Sequence, residues 1–525
     1  MADRAARRVL EAWIDRLRPA EERVQRARWD AASEATPKRR ALVEFEATTF
    51  EACLHDDLGW AKLEQSLAER IDDPLLRRAL EVLRLRLLPH TKPRPEALVK
   101  LEAEVEERFA LTRADVGGER LDANAVGKVL RTSTDAVHCE AVWRAAVRVG
   151  EDVAPAVREM ARLRNAHARA LGYPDHRELS LVAQEVAPPA LAAFLRELEE
   201  GTNEAWAEAK AALDARRARR FGVSPDALAP WHLGDVFLQM PPSEEGAPDA
   251  LEDADPVTLT RATFEAIGFD VGPVLEKSDL EPREGKSPHA FCTHLDRKGD
   301  VRILANIEPG VRWTRTLLHE MGHAMYDRHL DFDLPWNLVR PPHASVTEGV
   351  AMLFGRLPED ETWRREVAGV EPDPAAAERR RRGLLTFVRW GLLMCRFEEG
   401  LYADPERDLD ALWWDLTERL QGTRRPDPPA RDVWAAKIHV ACWPVYYHSY
   451  LLGECVASQL QHHIERVVFG RRLVGNPAAG AFLRERVFRP SAAPRWERLI
   501  EEAAGGPLRA KALLADLETG ARERA

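Results

Sequence analysis

Apolar residues recur every three or four positions along most of this chain, a period that commits it to helices packed through one apolar stripe each. Segments 6–29 (ARRVLEAWIDRLRPAEERVQRARW), 75–88 (LLRRALEVLRLRLL) and 190–221 (ALAAFLRELEEGTNEAWAEAKAALDARRARRF) show it most plainly, with charges filling the positions between. No unit recurs at a fixed longer period, which argues against a helical-repeat solenoid. The stretches HTKPRPEA (90–97) and MPPSEEGAPDALEDADP (240–256) break the pattern and read as surface connections between helical blocks. No run approaches the roughly eighteen consecutive apolar residues that signal a membrane-spanning helix. One segment departs from helix. In HAFCTHLDRKGDVRILAN (289–306) two short apolar or β-branched runs flank DRKGD, predicting a hairpin that turns at Lys298-Gly299-Asp300.

With 525 residues, 45% hydrophobic and 31% charged, the chain can form several domains or one large two-lobed body with a substantial core. Fifteen tryptophans suit deep helix packing or a large cleft. The formal charge, 76 − 87 = −11, argues against nucleic acid as a partner, because a phosphate-binding surface needs excess Lys and Arg. Cys53, Cys139, Cys292, Cys395, Cys442 and Cys455 form no CxxC pair and are widely scattered, the pattern of buried free thiols. The opening MADRAARRVLEAWIDRLRPAEERV is charged throughout and lacks the apolar run of a signal peptide. The expectation is a cytoplasmic protein without a membrane partner. The sequence carries no signature of oligomeric state.

Residues 317–330, LLHEMGHAMYDRHL, hold the sharpest chemical signal. On a helix, His319 and His323 stand one turn apart and can aim at one ion. Glu320 lies beside them, close enough to act on bound water without ligating. A match this short recurs by chance, but its apolar backing, TRTLLHEMGHAMYD, and the room left by Gly322 are not what a surface histidine pair needs. A hydrolytic zinc site wants three protein ligands and an open position for water. HASVTEGVAMLFG (343–355) offers Glu348, 348 − 323 = 25 residues on, alone among Val, Ala, Met, Leu and Phe. Burying it there is costly unless a cation compensates, although a helix N-terminus would also favour it. His343 and His329 are expected at the surface or behind the ligands.

These residues resemble the glutamate-ligand zinc peptidases. The chain is most similar to the angiotensin-converting-enzyme family of peptidyl-dipeptidases, with thimet oligopeptidase and the Taq-type carboxypeptidases more distant. WHLGDVFLQ (231–239), SPHAFC (287–292), DVRI (300–303), WWDLTERLQG (413–422) and AAKIHVACWPVYYHSY (435–450) resemble that family's segments, so the likeness covers about residues 230–450. Before that, only generic helices and Trp29 correspond. The resemblance implies one zinc ion per chain on His319, His323 and Glu348, with Glu320 as the base. It further implies that His289 and Ala290 hold the peptide backbone, and that Gln239 and Lys437 bind its terminal carboxylate. His439 and a tyrosine would stabilise the oxyanion. Tyr447 and Tyr450 keep the family's spacing to each other but are offset by one residue from His439. Tyr450 is assigned to the oxyanion and Tyr447 to a substrate contact. Met352 stands where the family often has an acid that orients a zinc histidine, so another group must do that work. The chloride requirement known in the family attaches to no residue the sequence singles out.

The resemblance implies an all-α fold: a large two-lobed helical metallopeptidase around a deep channel, with the short hairpin beside the zinc helix. One domain, 1–525, is expected, with a helical lobe and lid over 1–230, the catalytic core over 231–460 and C-terminal helices over 461–525. The expected activity is release of C-terminal dipeptides from short peptides, by attack of zinc-bound water with Glu320 as general base. Oligoendopeptidase or monocarboxypeptidase action on the same scaffold remains open, as does a catalytically silent helical peptide-binding protein.

Overall fold

The computed structural model describes residues 2–241 and 249–522; residues 242–248, the centre of the proline- and acid-rich connection, lie outside the described residues. Helices open where acid or hydroxyl side chains can accept the free backbone N–H groups of a first turn. Asp73 takes the N–H groups of Leu75 and Leu76, Asp175 that of Glu178, and Asp408 that of Ala411. The three strongest periodic segments fall in α1 (Ala2–Ser33), α2 (Pro74–Leu87) and α3 (Pro188–Phe221). α3 stops at Gly222, whose φ of 66° continues the chain in the left-handed region.

The protein is mostly helical, with two small antiparallel hairpins among the described residues. The first, β1 (Ala114–Val116) with β2 (Glu119–Leu121), was not expected, since 289–306 is the sequence's one clear strand signal. Its mark is Gly117-Gly118, both at positive φ, which supply the turn two three-residue strands require. The second pairs β3 (Phe291–His294) with β4 (Val301–Leu304), in register Phe291 with Leu304 through His294 with Val301. Its loop is longer than the predicted turn. Asp296 accepts from the backbone of Lys298 and Asp300, Arg297 and Gly299 take positive φ, and Leu295 bonds Asp300. Asp279 covers the far edge of β4, so β3 has the free edge among the described residues.

Two large apolar cores each draw on segments spread along the chain, and the later helices α4 (Val311–Arg328), α5 (Ala344–Gly355), α6 (Ala376–Ala403), α7 (Ile438–Cys442) and α8 (Tyr447–His462) contribute to them. α4, α5 and α8 pack together in the second core, while α6 lies mainly in the first. Phe387 of α6 and Tyr450 of α8 touch both. A third core joins α1 and α2 to Trp336 and Leu338. All six cysteines are free thiols, three of them buried. No described helix is long and apolar enough to cross a membrane.

Candidate metal centre and active site

Three glycines let α4, α5 and α8 approach until side chains from separate helices meet. A Cβ at Gly322 would stand 2.8 Å from the Cα of Ala351, one at Gly349 2.7 Å from the Cβ of Val456, and one at Gly453 3.0 Å from the Cβ of Glu348. The first two carbons do not fit unless a neighbour shifts, and the third would press on the stem of Glu348 itself. That closeness carries Glu348 of α5 to the two histidines of α4. His319 Nε2 lies 3.6 Å and His323 Nε2 3.7 Å from Glu348 Oε2. One ligand atom from each of the three residues lies within 4.8 Å of the others.

The donor set fits zinc. Four ligands around zinc at about 2.1 Å place neighbouring donor atoms about 3.4 Å apart, close to the two distances here. Glu348 Oε2 is buried and has no hydrogen-bond donor among the described residues. Burial pushes the Glu348 carboxyl up to about 7, opposed by the Tyr446 hydroxyl; Glu320 is pushed up to about 8, by burial and then by the Glu348 charge. Burial holds His319 down to about 4 and His323 well below its ordinary value. Neutral imidazoles are the ligating form, and a divalent cation among them would stabilise both carboxylates as anions.

The groups behind the ligands are ones the sequence reading passed over. His323 Nδ1 meets Thr347 Oγ1 at 2.7 Å, which leaves Nε2 facing the cluster. Tyr446 donates to Glu348 Oε1 at 3.0 Å, although only Tyr447 and Tyr450 of the three tyrosines were assigned roles. Met352 carries no acid to orient a histidine and lines the cavity with His319; the group that meets a histidine Nδ1 is the Thr347 hydroxyl, at His323. The signal was Thr347 itself, adjacent to Glu348 at the open end of α5. His343 is buried rather than at the surface: it caps α5 through Ser345 and packs on Trp496. His329 packs on Phe269 and Phe488 and bonds the Met325 carbonyl.

A cavity of about 760 Å³ opens beside the cluster. His319, Glu320, Gln239, Lys437, His439, Tyr447 and Tyr450 all line it, so residues far apart in sequence share one wall. Lys437 Nζ donates to Gln239 Oε1 at 2.5 Å and lies over the rings of Trp390 and Phe237 at 5.4 and 5.8 Å. It has no carboxylate partner within ion-pair distance among the described residues, and burial brings it down to about 8. His439 is held to about 3 by burial and then by the Lys437 charge, so its ring is neutral; it stacks near Tyr447 and Trp443.

The two tyrosines are not equivalent. Tyr447 is buried and its hydroxyl accepts from Trp390 Nε1 at 3.0 Å. Tyr450 is half-buried, and after burial the charges of Glu348 and Glu320 raise its hydroxyl, which places it near the carboxylates of the cluster. His289 and Ala290 lie outside the cavity wall, directly before β3. His289 is exposed but within Coulombic reach of His439. The Cys292 backbone N–H stabilises the Glu320 carboxylate, which sets β3 alongside α4. Comparison with protein-family models and with curated protein sequences finds no match.

Proposed function

We propose that this chain is a zinc-dependent peptidase that hydrolyses short peptides and releases dipeptides from their carboxyl ends. One observation carries the reading: the ligand atoms of His319, His323 and Glu348 meet within 4.8 Å, and His319 lines a cavity that Glu320, Lys437, His439 and Tyr450 also line. The likeness of residues 230–450 to the angiotensin-converting-enzyme family supports it, as does the pairing of two apolar cores with a deep cavity, consistent with two lobes around a channel.

When bound, zinc would lower the pKa of water to about 7 and polarise the scissile carbonyl. The chain's own residues supply the rest. Glu320 stands beside the ligands to take the proton from water and pass it to the departing amine. Tyr450 offers a hydroxyl, and the neutral His439 an N–H, to the oxygen on which charge develops. Lys437 brings an ammonium lacking a carboxylate partner among the described residues, and Gln239, whose Oε1 is occupied by Lys437, is left with its amide N–H groups to donate. A peptide's terminal carboxylate satisfies both, which fixes the cut a set distance from that end. His289 and Ala290, leading into the free edge of β3, are placed to hold an extended backbone.

Metal analysis of the purified protein, combined with mass spectrometry of peptides incubated with it, tests the reading. About one zinc per chain, and products shortened by two residues at the carboxyl end, are expected. Failure to take up zinc, or a zinc-loaded protein that cuts no peptide, overturns it. Equal cleavage of C-terminally amidated and free-acid peptides would remove the carboxylate clamp.

A further inference from the structure

Six arginines and Lys437 share the wall of the large cavity with four carboxyl groups among the described residues. Most of those arginines with a described partner are neutralised where they stand. Arg315 pairs with Glu359, Arg356 with Glu454, and Arg379 with Asp373 at 2.5 Å. Arg380 differs. It donates no hydrogen bond among the described residues, and its one ion pair is loose, Nη2 to Asp516 Oδ2 at 3.8 Å. That carboxylate is already shared: Oδ1 meets His462 Nε2 at 2.7 Å, and Oδ2 also faces Arg356 at 3.9 Å. Asp516 does not line the cavity, so it stands behind the guanidinium and leaves the front open.

The Arg380 side chain is only 21% exposed, so its five N–H donors cannot all turn to bulk water. Burial and then the Arg356 charge hold its pKa below the usual arginine value. It also belongs to a run of four arginines, 379–382, in the first two turns of α6. Like charges repel there, and the positive end of the helix dipole disfavours each of them. An anion in the cavity relieves all of these costs together.

α6 serves as a ruler along the cavity. Its Trp390 ring lies 5.4 Å from Lys437 Nζ, and Phe387, one turn earlier, meets the Tyr450 ring at 6.1 Å. Leu384, Gly383 and Arg380 continue that face toward the helix start and line the same cavity. At 1.5 Å per residue, about 15 Å of axis separates Trp390 from Arg380. α8 gives the same order. One turn past Tyr450, Glu454 is on the wall and holds Arg356, whose guanidinium shares Asp516 with Arg380. The cavity thus has a cation short of partners near each end, Lys437 and Arg380, with Phe387 and Tyr450 between them.

We propose that Arg380 binds an acidic side chain of the substrate, so that this site selects short acidic peptides, gripped by the terminal carboxylate at Lys437 and by an Asp or Glu at Arg380. A planar guanidinium with free N–H groups matches the two oxygens of a carboxylate. The inference rests on the peptidase reading and narrows its substrate class.

Free-acid alanine pentapeptides carrying one Glu, or the isosteric Gln, at each position in turn test it through the ratio of their kcat/KM values. At one position or more the Glu peptide is expected to be preferred about tenfold or more, the scale of one partly buried charge pair. Arg380→Gln should bring that ratio near one, and Arg380→Lys should keep part of it. Because the ratio compares two peptides on one protein, a variant that is merely less stable leaves it unmoved. Arg380→Glu should turn the preference toward a Lys peptide, a gain that loss of fold cannot produce. Equal cleavage of Glu and Gln peptides at every position, or a ratio unchanged in Arg380→Gln, overturns the proposal and leaves the peptidase standing. Cleavage of none of the peptides by the zinc-loaded protein refutes both.

Discussion

Thr347→Val isolates the least obvious part of the centre. The substitution keeps the side-chain shape and removes only the oxygen that meets His323 Nδ1 at 2.7 Å. In the wild-type protein the Nδ1–H donates to that oxygen and Nε2 is presented toward Glu348 Oε2, 3.7 Å away. Without the hydroxyl, a half-buried imidazole N–H loses its acceptor, which costs about 1–3 kcal/mol. Because the cost falls on the tautomer and ring orientation that ligate, most of it should appear in metal affinity, as a loss of roughly 10- to 100-fold. Competition against a fluorescent zinc chelator measures it, with Thr347→Ser as the control that retains the oxygen. The serine variant should bind zinc within a few-fold of wild type. If Thr347→Val binds as tightly as wild type, the hydroxyl does not orient His323 and another group must hold the ring.

Glu320→Gln should retain zinc and lose nearly all turnover; substantial remaining cleavage in a peptide assay would remove Glu320 as the base. Tyr450→Phe should lower kcat by roughly 10²–10³, and a larger drop in Tyr447→Phe would reverse the two roles. Lys437→Ala should raise KM for free-acid peptides and spare amidated ones; an equal rise in both contradicts the clamp. Asp279, which flanks β4, is held down to about 2, chiefly by its hydrogen bond to Arg283 and, against burial, by Lys286. Its folded value is below the 3.8 of the free side chain, so its contribution to stability is complete above pH 3.8 and is lost as pH falls through about 2. Melting temperatures across that window should fall less for Asp279→Asn than for wild type, with the variant less stable at neutral pH; identical acid sensitivity would refute the assignment.

Much of this protein was fixed along the chain. Three- and four-residue periodicity gave α1, α2 and α3, because an apolar stripe can be buried only if the backbone turns at that rate. The one-turn spacing of His319 and His323 is local geometry, legible before any fold is known. Glu348 stood out by its cost, because a carboxylate among apolar neighbours needs compensation, from a cation or from a helix N-terminus. The small β1–β2 hairpin escaped because three-residue strands carry almost no periodic signal, leaving only two glycines to mark it.

Tertiary structure decided what the spacing left open. Glycines at 322, 349 and 453 look like ordinary breaks in helical pattern until the helices are seen to touch through them, and only that contact brings Glu348 to the histidines. The three tyrosines at the start of α8, Tyr446 just before it and Tyr447 and Tyr450 within it, are nearly interchangeable in sequence, yet packing sends Tyr446 to Glu348, gives Tyr447 to Trp390 and leaves Tyr450 beside the carboxylates. A helix's period is set by its own backbone, whereas the partner of a buried charge is set by segments hundreds of residues away.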